Sequence, residues 1–263
     1  MRRSPRLLLQ SASAPPVVAA RAAAAVMASG ERGSSLDAAM LAKERACWAK
    51  DLRFVVGVDE AGRGPLAGPV VVCACAFDQG VEVAGLDDSK KLSEEERDAA
   101  FALLKSTPGV HYAVAVVGPE VIDDINILQA TLRGMDDCVA QLKRRGVCSA
   151  VLVDGPFLPP ACAAADDIAL KEAIKGGDAK VRCIAAASVI AKCTRDALMR
   201  AEAARFPLYG FDVHKGYPVP AHRDALARHG PCAIHRMSYK PCQDAAAAHG
   251  VPLQVKKKSR KQI

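Results

Sequence analysis

Short apolar runs that end at acids or glycines alternate along this chain with longer stretches whose apolar positions recur at helical spacing. Phe54 to Val58 is the first run, stopped by Asp59-Glu60, and Val70 to Phe77 is the second; both read as strands. Gly62, Gly64, Pro65 and Gly68 between them demand a turn. A helix is expected from Leu36 to about Lys50, ahead of the first strand. Ser93 followed by Glu96 fits a capping box that opens a helix towards Lys105. Val110 to Val117 alternates as a strand, and one long helix is expected from Pro119 to about Arg145. Ser149 to Val153 is a further buried strand that delivers Asp154-Gly155 at its end. After a Pro- and Ala-rich loop, Cys183 to Arg205 and Val219 to Arg228 read as helices, the second stopped by His229-Gly230. Strands come first, then strands alternating with helices, then helices alone. The expectation is one α/β domain with a helical C-terminal part.

Composition narrows this picture only a little. With 263 residues, 51% of them hydrophobic, the chain can bury one large core or two modest ones. A formal net charge of +7 favours a polyanionic partner, although charge of this size also serves solubility. The ten cysteines form no C-x-x-C pair, so they read as small buried hydrophobes of a reducing compartment. His214, His222, His229 and His235 fit no usual zinc spacing. No run of about 18 apolar residues occurs, so no membrane association is expected.

The ends differ from the middle. Arg2, Arg3, Arg6 and Arg21 stand among many Ala and Ser with no acid before Glu31, the composition of a mitochondrial or chloroplast transit peptide. A disordered Ala-rich leader is the alternative, and initiation at Met27 would leave a cytoplasmic or nuclear protein. The expected division is a leader over 1–35, a folded domain over 36–245, and a basic, disordered tail over 246–263.

Acids placed where buried strands stop are the informative chemistry. Asp59-Glu60 and Asp154 hold such positions, where a sheet fixes a side chain and a loop exposes it. Carboxylates converging from separate strands repel one another unless a cation sits between them, and hard oxygen ligands suit Mg²⁺ or Mn²⁺. A single Asp-Gly such as Asp154-Gly155 is by itself an ordinary turn. Neighbouring side chains in a strand face opposite ways, so Asp59 and Glu60 share a site only if the strand bends, which Gly62 permits. Gly62-x-Gly64 is no dinucleotide fingerprint: Pro65 follows, the third glycine falls at 68, and a strand comes next instead of a helix. Neither a phosphate-binding P-loop nor a G-x-S-x-G elbow is present.

With those residues in view, the run Gly57-Val58-Asp59-Glu60-Ala61-Gly62-Arg63-Gly64-Pro65 resembles the opening signature of ribonuclease HII. Leu86 to Ser93 is similar to that family's second block, Val151 to Gly155 to its third, and Ala186 to Lys192 with Arg195-Asp196 to its fourth. Tyr209-Gly210-Phe211, His214 to Pro218, and His235 to Tyr239 complete the resemblance, in the family's order, over roughly residues 54 to 242. The single-chain bacterial type is the better match than the catalytic subunit of the eukaryotic heterotrimer. Tyr239 stands where the family usually has Phe.

The resemblance implies a ribonuclease H-like mixed sheet flanked by helices. It also implies an endonuclease that cuts the RNA strand of RNA–DNA hybrids, and cuts 5′ of single ribonucleotides in duplex DNA. Two divalent ions, Mg²⁺ or Mn²⁺, would be held by Asp59, Glu60, Asp154 and a fourth acid, leaving 5′-phosphate and 3′-hydroxyl ends. That fourth acid falls on Asp178, with two glycines before it where the family has one, and Asp166, Asp167 and Glu172 compete for the role. Substrate binding falls on Gly62, Arg63, Gly64 and Tyr217, with Ser188 in the fourth block. Lys90, Lys91, Lys192 and Arg195 would meet phosphates. The implied partner is nucleic acid and the implied state a monomer; the alternative is a catalytically inactive nucleic-acid-binding protein of the same fold.

Overall fold

The computed structural model describes residues 39–83, 86 and 92–252. The expected leader, most of the basic tail, Lys90 and Lys91 lie outside the described residues. Strands β1 (Val55–Ala61), β2 (Val70–Phe77), β3 (Val110–Val117), β4 (Ala150–Asp154) and β5 (Leu170–Ile174) make one sheet in the order β3-β2-β1-β4-β5. The first three strands are antiparallel neighbours, whereas β4 and β5 run parallel to β1. Helices α1 (Ala42–Trp48), α2 (Glu94–Ser106), α3 (Pro119–Ile125), α4 (Ile127–Arg144), α5 (Pro160–Ala163), α6 (Arg182–Arg205), α7 (Phe211–His214), α8 (Pro220–His229) and α9 (Lys240–Ala248) surround it.

Strand alternation sorts the core into two layers. Val55, Val71, Cys73, Cys75 and Leu152 pack beneath α6, and Val56, Val58, Val72, Ala74, Val151 and Val153 pack beneath α4. Gly57 lies on the α6 side: a Cβ there would sit 2.2 Å from the Cys183 carbonyl carbon, so glycine lets α6 lie directly on β1. All ten cysteines are free, most of them buried, as small hydrophobes would be. No helix among the described residues is long and apolar enough to cross a membrane.

The capping box holds: the Glu96 amide donates to Ser93 Oγ at 3.2 Å, and the Ser93 amide donates to Glu96 Oε2 at 2.8 Å. Other expectations shift. The first strand does not end at Val58. Its parallel pairing with β4 ends there, at Val58↔Val153, but its ladder with β2 continues to Ala61↔Val71. The long helix over 119–145 is two helices, broken at Asn126, whose φ is +71° and whose side chain accepts from the Leu128 and Gln129 amides. β5 and α9 were not expected. β5 is an edge strand in which Lys171 and Glu172 hide the apolar alternation, and α9 runs to Ala248.

Candidate active site

Three carboxylates meet where β1 outlasts its parallel partner β4. Asp59 shares the α6 face with Val55 and Ala61. Glu60, on the other face, lines a hollow with Leu128, Thr131, Leu132 and Met135 of α4 and with Asp154 from the end of β4. The two acids approach Asp154 from opposite faces of a strand still in register with β2, so no bend before Ala61 brings them together.

Asp59 is 4% exposed, and its carboxyl is pushed well above the usual carboxylate range. Burial is the larger cause, and the Glu60 and Asp154 carboxylates add to it. Hydrogen bonds from the Ser188 side chain and the Glu60 amide, the latter at 2.7 Å, act in the opposite sense. Ser188, 5% exposed on α6, is therefore a partner of Asp59 in this structure.

Asp154 Oδ1 accepts from the Gly177 amide at 2.7 Å, which ties β4 to the short 3₁₀ turn Gly177–Ala179. Asp178 follows at once, 3% exposed, with its Oδ1 accepting from the Ala179 amide at 3.1 Å. The competing acids face elsewhere. Asp166 is exposed, Asp167 pairs with Lys143 at 2.6 Å, and Glu172 pairs with Lys43 at 2.5 Å.

The turn after β1 is held from behind by two buried arginines. Arg195 donates to the carbonyls of Pro69, Ala67 and Lys215, and Arg236 to those of Gly62, Arg63, Gly68 and Pro69. The expectation that Arg195 meets phosphate is corrected: its residue is fully buried, and its Nε and Nη2 donate to protein carbonyls. Gly62, at φ +100°, has no room for a Cβ, which would lie 2.1 Å from Arg195 Nε. At Gly64 the nearest atom to such a Cβ would be Tyr217 Cε1 at 3.7 Å. The turn and Tyr217, predicted from distant parts of the chain, thus lie side by side. Arg63, half-exposed, reaches Glu60 at 3.4 Å and joins the turn to the acids. Lys192 is partly buried and pairs with Asp196 at 2.8 Å.

Sequence reasoning passed over Phe157, which is 53% exposed and lines the same hollow as Glu60, Arg63 and Asp154. It also passed over the structural use of Arg236. Nothing local in His235-Arg236-Met237 marks a buried guanidinium, because its carbonyl partners lie far back in the chain.

Among the described residues, no three His, Cys, Asp or Glu side chains are drawn together tightly enough to cage an ion. The donor set nevertheless fits a hard divalent cation. Its groups are carboxylates only, Asp59 and Asp178 are deeply buried, and the neighbouring negative charges destabilise the ionised form of Asp59.

The family model described as Ribonuclease HII matches residues 56–242. A ribonuclease HII of Maricaulis maris is 49% identical over 193 residues, 73% of this chain and 84% of that protein. One from Chlamydia trachomatis is 45% identical over 217 residues, 81% of this chain and 96% of that protein. Among solved structures, the ribonuclease H2 of Pyrococcus horikoshii superposes with a TM-score of 0.61 at 28% identity, covering 74% of this chain and 97% of that one. Bst ribonuclease HIII, solved in complex with Mn²⁺, has a TM-score of 0.59 at 18% identity, covering 74% and 70%, a likeness of fold alone.

Proposed function

This chain belongs to the ribonuclease HII family, enzymes that act on RNA–DNA hybrids, and on that premise we propose how it selects and cuts its substrate. Asp59, Glu60, Asp154 and Asp178 would hold the catalytic metal ions. Bound there, two divalent ions, Mg²⁺ or Mn²⁺, would supply Lewis-acid charge to an attacking water and to the leaving oxygen, giving 5′-phosphate and 3′-hydroxyl ends. Ser188 orients the Asp59 carboxylate.

Gly62, Arg63, Gly64 and Tyr217 read the sugar. RNA differs from DNA along its backbone only in the 2′-hydroxyl, so discrimination has to be made there. One observation carries this reading: Gly64 stands beside Tyr217 with room for a Cβ, whereas Gly62 has none. The fold alone requires glycine at 62. At 64 the missing side chain instead leaves space for a sugar to approach the backbone. Arg63 links this surface to Glu60, so the sugar that is read lies next to the phosphate that is cut. The cut falls 5′ of a lone ribonucleotide in duplex DNA as well as within hybrids. Lys192 faces the phosphates in part, restrained by Asp196, and Lys90 joins it from outside the described residues. We also take the chain as a monomer and, from the basic composition with no acid before Glu31, its leader as an organellar address.

The test is a labelled DNA duplex containing one ribonucleotide, incubated with Mg²⁺ or Mn²⁺ and, separately, with chelator. Metal-dependent cutting 5′ of the ribonucleotide is expected. Cutting of long hybrids alone would reject the sugar-reading role of the turn. Binding without any cutting would mark an inactive nucleic-acid-binding protein.

A further inference from the structure

Behind the Tyr217 segment lies a row of side chains that neither the acids nor the turn employ. His222 and His235 are 0% and 2% exposed, and their Nε2 atoms are 3.1 Å apart. His222 Nδ1 lies 2.9 Å from the Tyr217 carbonyl, and His235 Nδ1 lies 2.9 Å from the Cys232 amide and 3.1 Å from its sulfur.

The partners place every proton. A carbonyl only accepts, so His222 carries its hydrogen on Nδ1; an amide only donates, so His235 Nδ1 is bare. His235 therefore donates from Nε2 to the bare Nε2 of His222. His214 obeys the same logic, accepting from the Gly216 amide on Nδ1 and donating from Nε2 to the Tyr209 carbonyl, while it stacks on His222 at 4.5 Å. Both buried rings are held neutral: His222 and His235 are shifted down, chiefly by burial.

This row ends on a segment that needs holding. Lys215 and Gly216 are consecutive left-handed residues, at φ 52° and 82°. Gly216 is pressed on the turn after β1, its carbonyl accepting from the Leu66 amide at 2.8 Å. A Cβ on Gly216 would lie 2.7 Å from the Ala67 oxygen.

We propose that His235 and His222 are positioning residues, a relay of neutral imidazoles anchored on Cys232 that fixes the Tyr217 carbonyl and so sets the Tyr217 ring beside Gly64. This inference rests on the reading of Tyr217 as a substrate contact.

A double-mutant cycle on the full chain tests it, with kcat and KM measured on the single-ribonucleotide duplex. His222→Phe keeps a ring of similar size but loses both hydrogen bonds. It should raise KM by about tenfold or more, the scale of a small misplacement of a contact group. Tyr217→Ala should do the same, and the double variant should be no worse than Tyr217→Ala alone. His222→Asn and His235→Gln restore an amide N–H near the original donor positions and should keep KM within about threefold.

Additive losses overturn the proposal, as does a wild-type KM in His222→Phe beside a damaged Tyr217→Ala. Unchanged KM in Tyr217→Ala is a different result: it rejects the substrate contact itself, and the positioning role falls with it. If His222→Phe fails to fold, ¹⁵N NMR of the ring nitrogens in the unaltered protein decides. Any tautomers other than Nδ1–H on His222 and Nε2–H on His235 reject the relay.

Discussion

Arg236 Nη2 donates to the carbonyl of Gly62 at 2.6 Å, across 174 positions of the chain. The same guanidinium donates to Arg63, Gly68 and Pro69 carbonyls and to the Tyr239 hydroxyl, so one buried side chain holds both ends of the turn that flanks the acids. Loss of Arg236 leaves several buried carbonyls without their donor. Arg236→Leu should cost about 3 kcal/mol or more in denaturant unfolding, and Arg236→Lys should recover little, because an ammonium cannot span the guanidinium's fork. A loss under about 1 kcal/mol would show that the turn is held by other means.

Gly62 and Gly64 should separate stability from function. Gly62→Ala forces a Cβ to 2.1 Å from Arg195 Nε at φ +100°, and should destabilise by about 2 kcal/mol or more. Gly64→Ala meets only Tyr217 Cε1 at 3.7 Å, so its stability should stay within about 0.5 kcal/mol while cleavage of the single-ribonucleotide duplex falls. Full cleavage by Gly64→Ala would remove Gly64 from the substrate surface.

Asp154→Asn keeps an acceptor for the Gly177 amide and removes the charge. Thermal unfolding should hardly move, whereas turnover should drop on the order of a thousandfold, as when one member of a concerted group is lost. Chelation of the unaltered enzyme should match that loss. Turnover near wild type in Asp154→Asn would sink the assignment of the acids.

Ser188→Ala deletes a hydroxyl that favours ionised Asp59 against burial and its acidic neighbours. The expected defect is a half-saturating Mg²⁺ concentration raised about tenfold to a hundredfold, with turnover recovered at high Mg²⁺. Ser188→Thr should restore the wild-type value. A turnover defect that Mg²⁺ does not repair would place Ser188 against the substrate instead.

The buried histidines predict a loss of stability in acid. His235 is lowered from 6.5 to about 3, first by burial and then by His222; His214 adds to this, while the Cys232 amide opposes it. Tyr209 and Phe211 cover the ring. The unfolded chain binds protons below about pH 6.5 that the folded ring refuses. The stabilisation is therefore complete above 6.5 and falls towards 3, at about 1.4 kcal/mol per pH unit for this one group. Urea unfolding at about pH 7.5 and about pH 5 should show a larger drop for wild type than for His235→Gln, and equal drops would reject the assignment.

Much of the site was legible because its parts are local. Val110 to Val117, the Ser93 capping box, Asp154 at its strand end and the turn with Gly62 all declare themselves within a few residues. What stayed hidden depends on distant partners. Asn126 breaks one expected helix into two, and the redirected α3 lets Asp123 accept from the Met237 and Ser238 amides and the Ser238 hydroxyl. No helical period reports that contact. β5 was lost because an edge strand needs little apolar surface, and its pairing with β4 becomes visible only once the sheet is assembled.

The sequence by itself determined that Asp154 ends its strand, which glycines form the turn, and the family to which those blocks belong, since each is written in residue type and short spacing. Tertiary structure alone decided that Asp59 and Glu60 reach Asp154 from opposite faces of one strand, that Asp178 adjoins Asp154 through Gly177, and that Arg195 faces protein instead of phosphate. It also decided that Tyr217 meets Gly64 and that two histidines brace the Tyr217 carbonyl. A buried polar group takes its meaning from whichever partner satisfies it, and here those partners come from remote segments that only folding brings into reach.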